Sequence, residues 1–186
     1  MTFFLDRPGI PVIRDDAIGL QNEILNRKKQ KSFLIAIDGV DGSGKSSISK
    51  TLALGINATH LALDKFLRQD TGVFVEALDF NRLQIAITEA GSDGNKLVIV
   101  DGVCVLAALE RLKLNPDFLV YVRRRAKSGI YGDDSYFGTD EDAARKRLNL
   151  LDHAQGKPYL SLEILDYHRL HRPFDQADVL YDRIEN

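Results

Sequence analysis

Short apolar runs alternate with amphipathic stretches along most of this chain. The runs 33–37 (FLIAI), 60–63 (HLAL), 97–100 (LVIV), 118–122 (FLVYV) and 177–184 (ADVLYDRI) have strand length. Those at 33–37, 97–100 and 118–122 lack polar alternation, the mark of strands buried on both faces. Between the runs, apolar positions recur at helical spacing over 47–54, 80–90, 106–112, 140–151 and 161–170. Gly91-Ser92-Asp93-Gly94, Asn115-Pro116 and Arg172-Pro173 supply the stops. Strands alternating with helices predict an α/β fold around a parallel sheet.

The flanks read differently. Residues 1–11 carry Phe3, Phe4 and Leu5 before Pro8-Gly9, an arm that docks and then turns. Asp15 is placed to cap a helix through Ile18, Leu20, Ile24 and Leu25, closed by Arg27, Lys28 and Lys29. Cations there complement the helix dipole. The expected layout is an arm and helix over 1–30 packed on one domain over 31–186. Within that domain 126–139, rich in Gly and Asp and without a period, reads as a mobile loop in a lid around 123–160.

Directly after the first long strand, Gly39, Gly44, Lys45 and Ser46 complete G-x-x-x-x-G-K-[ST], and a helical pattern follows. This is a P-loop in its required strand–loop–helix context. At average residue usage the bare pattern arises by chance in roughly one per cent of chains this long. Gly39, Asp41, Gly42, Ser43, Gly44, Lys45, Ser46 and Ser47 are therefore expected to cradle a nucleoside triphosphate. Glycines let amides close on an anion, Lys45 supplies a point charge, and the Ser46 hydroxyl can bind Mg²⁺.

Ligands of such sheets sit beyond the carboxyl ends of the strands, so the polar residues that follow strands matter most. Asp101, after LVIV, stands where a carboxylate supports Mg²⁺; it could instead open the Asp-Gly turn. Asp64 could take the proton of an attacking hydroxyl or cap a helix. Asp79 could bind substrate or cap a helix. Arg123 and Arg124, with Arg125 and Lys127, offer cations to a transferring phosphoryl group, or form a solvated charge run; Arg145 and Arg147 are weaker candidates. His168 and His171 are close enough to share a metal, but nothing completes a zinc set. Cys104 reads as a core thiol, and Tyr131, Tyr136 and Phe137 could stack on a base or pack on the surface.

Composition narrows the setting. A chain of 186 residues with 44% hydrophobic and 28% charged residues is ordinary for a globular protein. A net charge of −2 argues against a general nucleic-acid or anionic-membrane surface. One cysteine excludes an internal disulfide framework, and no run reaches membrane-spanning length. The N-terminus carries acids where a signal peptide would carry bases, so a cytoplasmic location is the default.

The segments IDGVDGSGKSS, LDKFL, LDFN, LVIVDGVCVL and DFLVYVRR, with the closing YHRLHRPFDQADVLYD, resemble uridine kinase-like enzymes of the phosphoribulokinase/uridine kinase group. The resemblance spans 33–184. It implies a P-loop NTPase three-layer sandwich: a five-stranded parallel sheet, order 2-3-1-4-5, with helices on both faces. By resemblance Asp64 is the general base, Asp79 the acid holding the substrate's ribose hydroxyls, and Asp101 stands where Glu is usual. Phe66 stands where the family often has tyrosine. The segment between Asp79 and Leu97 is too short for the β-hairpin that covers the nucleoside, and the lid lacks the family's arginine pattern.

The expected activity is Mg²⁺- and ATP-dependent phosphoryl transfer to a hydroxyl of a small molecule, foremost a nucleoside. Asp64, Phe66, Asp79 and Arg82 would bind the acceptor, Ser46 and Asp101 the metal, and Lys45, Asp64, Arg123 and Arg124 would serve catalysis. A nucleoside monophosphate kinase, with Arg68 and Arg82 on the acceptor phosphate, is the near alternative. A non-catalytic ATP-binding regulatory module is the other. No nucleic-acid or membrane partner is expected, and a homo-oligomer is compatible with the sequence.

Overall fold

The computed structural model describes residues 10–28, 33–68, 73–92, 97–131, 141–156 and 159–184. Met1 to Gly9, Lys29, Tyr136 and Phe137 lie outside the described residues. The strands are β1 (Val12–Arg14), β2 (Phe33–Asp38), β3 (Thr59–Ala62), β4 (Leu97–Asp101), β5 (Phe118–Arg125) and β6 (Val179–Ile184). The helices are α1 (Ala17–Arg27), α2 (Lys45–Gly55), α3 (Phe74–Ala77), α4 (Phe80–Ser92), α5 (Val105–Arg111), α6 (Glu141–Gln155), α7 (Leu160–His171) and α8 (Pro173–Gln176). Leu63–Phe66 forms a 3₁₀ turn.

All strands run parallel, in the order β1-β6-β5-β2-β4-β3. Counted from the P-loop strand, the expected 2-3-1-4-5 order is present. The sheet has six strands rather than five, because β1 adds to the β6 edge. Three residues carry no readable period; β1 exists through its pairing with β6, Val12 opposite Val179. The cap of α1 is likewise Asp16, which accepts from the Gly19 amide at 2.6 Å, and not Asp15.

Strand parity sorts the core into two layers. Phe33, Ile35, Ile37, Leu97, Ile99, Phe118, Val120 and Val122 face α1 and α2, meeting Leu20, Ile24, Ile48 and Leu52. Ala36, Val98, Val100, Leu119 and Tyr121 face the other way, onto α4, α5 and α7. Burial on both faces explains the unbroken apolar runs. Parallel pairing brings every strand's carboxyl end to one rim. α6 packs on α7 through Ala144, Leu148 and Leu165, and the Asp152 carboxylate accepts from the Ser161 amide at 2.9 Å. No helix among the described residues is long and apolar enough to cross a membrane.

Candidate active site

The loop between β2 and α2 opens on Gly39, whose φ of +147° and contacts exclude a side chain. A Cβ there would lie 2.5 Å from the Val122 carbonyl oxygen. Gly44, at φ +101°, turns the chain into α2, and Arg183 of β6 lies across it. The result is a loop of backbone amides at a helix N-terminus, a built anion site. It forms one end of a cavity of about 490 Å³. Asp41, Gly42, Gly44, Lys45, Ser46 and Ser47 line that end, and Asp64, Leu67, Phe74, Val103 and Leu160 line the other, beside Gly102.

Lys45 is folded back onto its own loop, donating to the Val40 carbonyl at 2.6 Å. Burial pulls its ammonium below the usual lysine range, opposed by the carboxylates of Asp38, Asp41, Asp101 and Asp64. Phosphate would substitute for those carboxylates and for the carbonyl. Ser46 Oγ donates to Asp101 Oδ2 at 2.9 Å, and Asp101 is almost wholly buried. A hydroxyl and a carboxylate are hard oxygen donors, the set Mg²⁺ takes together with phosphate and water. Among the described residues no group of three His, Cys, Asp or Glu is arranged around a metal position, so a cation here would rely on phosphate oxygens.

Asp64 lies on the 3₁₀ turn that follows β3, exposed and lining the cavity. The cap position of that turn is Ala62 and that of α3 is Val73, so Asp64 caps neither. Asp79 does act as a cap: its Oδ1 accepts from the Arg82 amide at 3.1 Å at the start of α4. Asp79, Phe66 and Arg82 do not line the cavity. Phe66 is buried in the core with the Arg82 guanidinium 5.7 Å from its ring centre. Arg68 donates to the Leu78 carbonyl at 2.8 Å.

The arginines expected at the start of a lid belong to β5 itself. Arg123 is buried, and its Nε donates to Asp182 Oδ1 at 2.6 Å. Its guanidinium lies 4.4 Å from the Tyr131 ring centre, and the Tyr131 hydroxyl donates to Asp182 Oδ2 at 3.1 Å. Parallel pairing sets Arg123 opposite Asp182, so a short-range charge run became half of a long-range ion pair. Arg123 and Arg124 do not line the cavity. His168 and His171 do not share a metal position: His168 Nδ1–H donates to the Ile164 carbonyl at 2.7 Å, and its Nε2 accepts from the Tyr121 hydroxyl at 2.8 Å. His171 faces Glu110 at 3.7 Å. Cys104 is buried and its thiol is pushed well up by burial.

Four polar residues stand out only in three dimensions. Asp38, fully buried at the end of β2, accepts from the Gly39 amide at 2.7 Å and from the Tyr167 hydroxyl of α7. Burial raises its carboxyl to about 7, against those two bonds and the charge of Lys45. Tyr167 in turn accepts from the Leu106 amide at 3.3 Å, which ties the P-loop base to α7 and α5. Glu163, also on α7, accepts from the Phe74 and Val75 amides at 2.6 and 2.9 Å. His60 of β3 contacts Asp101 Oδ1 through Nε2. The one sequence signal was the charge of Asp38 ending an apolar strand. Tyr167, Glu163 and His60 had none, because their partners are 40 or more positions away.

No protein-family model and no curated protein sequence matches this chain. Among solved structures, a possible uridine kinase from Bacillus stearothermophilus superposes with a TM-score of 0.56 at 16% identity, covering 89% of this chain and 97% of its own. A protein assigned as a fructose transport system kinase from Silicibacter sp. TM1040 gives a TM-score of 0.47 at 14% identity, covering 89% and 98%. The first likeness carries the fold: a parallel α/β sheet with helices on both faces.

Proposed function

We propose that this protein is a Mg²⁺- and ATP-dependent kinase that phosphorylates a hydroxyl of an uncharged small molecule, a nucleoside being the leading acceptor. The observation that carries the reading is the convergence on one cavity of the P-loop, with Ser46 bonded to the buried Asp101 behind it, and of Asp64 from the turn after β3. In this reading the amides of 41–47 and Lys45 bind the triphosphate. Ser46 and Asp101 hold the cation, which supplies charge neutralisation to the phosphates when bound. Asp64 accepts the proton as the acceptor oxygen bonds to the γ-phosphorus and the bond to the ADP oxygen breaks. The apolar side chains of Leu67, Phe74, Val103 and Leu160 exclude water from that exchange.

The acceptor end favours a neutral substrate. Lys45 is the only cation among the described residues lining the cavity, and it belongs to the phosphate end. The guanidinium groups that a nucleoside monophosphate would require, Arg68 and Arg82, are turned to Leu78 and Phe66.

The test is ADP release with Mg·ATP across nucleosides, nucleoside monophosphates and other hydroxylated metabolites, with Lys45→Ala as control. Acceptor-dependent release that falls by about 10²–10³-fold in the control is the expected result. Tight ATP binding with no acceptor-dependent turnover would replace the kinase with a nucleotide-sensing module.

A further inference from the structure

We infer that His60 is a positioning residue: it holds the Asp101 carboxylate turned toward Ser46, so that hydroxyl and carboxylate stand ready as a pair of oxygen donors. The inference rests on the magnesium–nucleotide reading of the cavity and adds a residue from outside both the P-loop and its acid strand.

The placement follows from the sheet. β3 is the edge strand beside β4, with His60 opposite Ile99 and Ala62 opposite Asp101. From there the imidazole reaches Asp101 Oδ1, while Ser46 Oγ donates to Oδ2 at 2.9 Å. The two carboxylate oxygens are thus held from opposite sides. Rotation about an aspartate's outer torsion is otherwise broad, so one donor would leave the group free to turn. Two donors fix it. A carboxylate accepts only, so His60 donates through Nε2–H.

Burial makes the arrangement purposeful. The Asp101 side chain is 1% exposed and that of His60 14%. An edge strand tolerates many residues at such a half-covered position, and an apolar one would match its neighbours Leu61 and Ala62. A histidine there gives the carboxylate its second donor and lets the imidazole occupy Oδ1, which leaves Oδ2 to Ser46, itself a residue of the cavity lining. Partners of this kind, behind a metal's ligands, are typically worth about 10–100-fold in metal affinity.

The experiment measures Mn²⁺ binding to the full chain with ADP, by water-proton relaxation enhancement, in wild type, His60→Gln, His60→Leu and His60→Asn. Gln keeps an N–H within reach of Oδ1, Leu removes it at similar volume, and Asn is polar but too short. We expect Leu and Asn to weaken Mn²⁺ binding by about 10–100-fold, and Gln to stay within about threefold of wild type. ADP affinity in EDTA should remain within about twofold in all. Should His60→Leu misfold, the Asn variant carries the same expectation. Wild-type Mn²⁺ affinity in the Leu or Asn variant, or a Gln variant as weak as they are, overturns the inference. Wild type failing to retain Mn²⁺ with ADP overturns the reading of the cavity itself, and His60's role with it. The two failures differ in which protein shows them.

Discussion

At the phosphate end of the cavity, the lining residues Asp41 to Ser47 come from one loop and the first turn of its helix. At the proposed acceptor end, Asp64, Leu67, Phe74, Val103 and Leu160 arrive from separate segments. The first end is held by short-range bonds, Lys45 to Val40 and Asp38 to Gly39, and by Asp101 one strand away. The second depends on how α3 and α7 meet, with Glu163 gripping the amides of Phe74 and Val75 across 89 and 88 positions. In the proposed function phosphate is the constant ligand, and a local loop suffices for it. The proposed acceptor end is assembled from parts that can change separately.

If the two ends are separable in function, substitutions should act on one without the other. Asp64→Asn has the largest expected effect: turnover falls by about 10²–10⁴-fold, while nucleotide affinity by calorimetry stays within about twofold. Loss of nucleotide binding in step with turnover would mean that Asp64 serves the phosphate end. Glu163→Ala should raise the acceptor KM about fivefold, matching the roughly 1 kcal/mol of a lost helix cap, and leave the nucleotide Kd alone. An equal shift in both constants would show the two ends to be one unit.

The smallest effect lies beneath the pocket. Burial raises the folded Asp38 carboxyl from its ordinary 3.8 to about 7, so the unfolded chain ionises first. Its contribution to stability therefore falls as pH rises from about 4 to about 7. His168 has a folded pKa of about 4 against 6.5, so the unfolded chain protonates first. Its contribution is intact above about 6.5 and is lost as pH falls toward 4. His171, also lowered by burial, acts in the same sense as His168. The slopes oppose each other over the shared window. Urea melts of Asp38→Asn should gain a positive slope of stability with pH between 4 and 6.5. His168→Asn should shift it negative, each by at most about 1.4 kcal/mol per pH unit. An Asp38→Asn protein with the wild-type slope would remove Asp38 from the account.

Legibility in the sequence followed the same division. The P-loop was readable because its residues are contiguous and each type answers a local demand, down to the positive φ of Gly44. Asp64 and Asp101 were readable because they follow apolar runs, and a parallel sheet delivers strand ends to one rim. Arg123 follows an apolar run too, but β5 continues through it and pairs it with Asp182, a partner local sequence does not show. Asp79 presented a carboxylate before a helix, which local sequence leaves open between ligand and cap; in the structure its Oδ1 accepts from the Arg82 amide.

By itself the sequence determined the alternation of strand and helix, the parallel sheet and the Gly-rich loop between β2 and α2. Each of these follows from residues within a few positions of one another. Tertiary structure alone decided the sixth strand, the burial of Arg123, the grip of Glu163 on α3 and the approach of His60 to Asp101. Those depend on which strand lies beside which, and on contacts that form only once the two apolar faces of the sheet are covered.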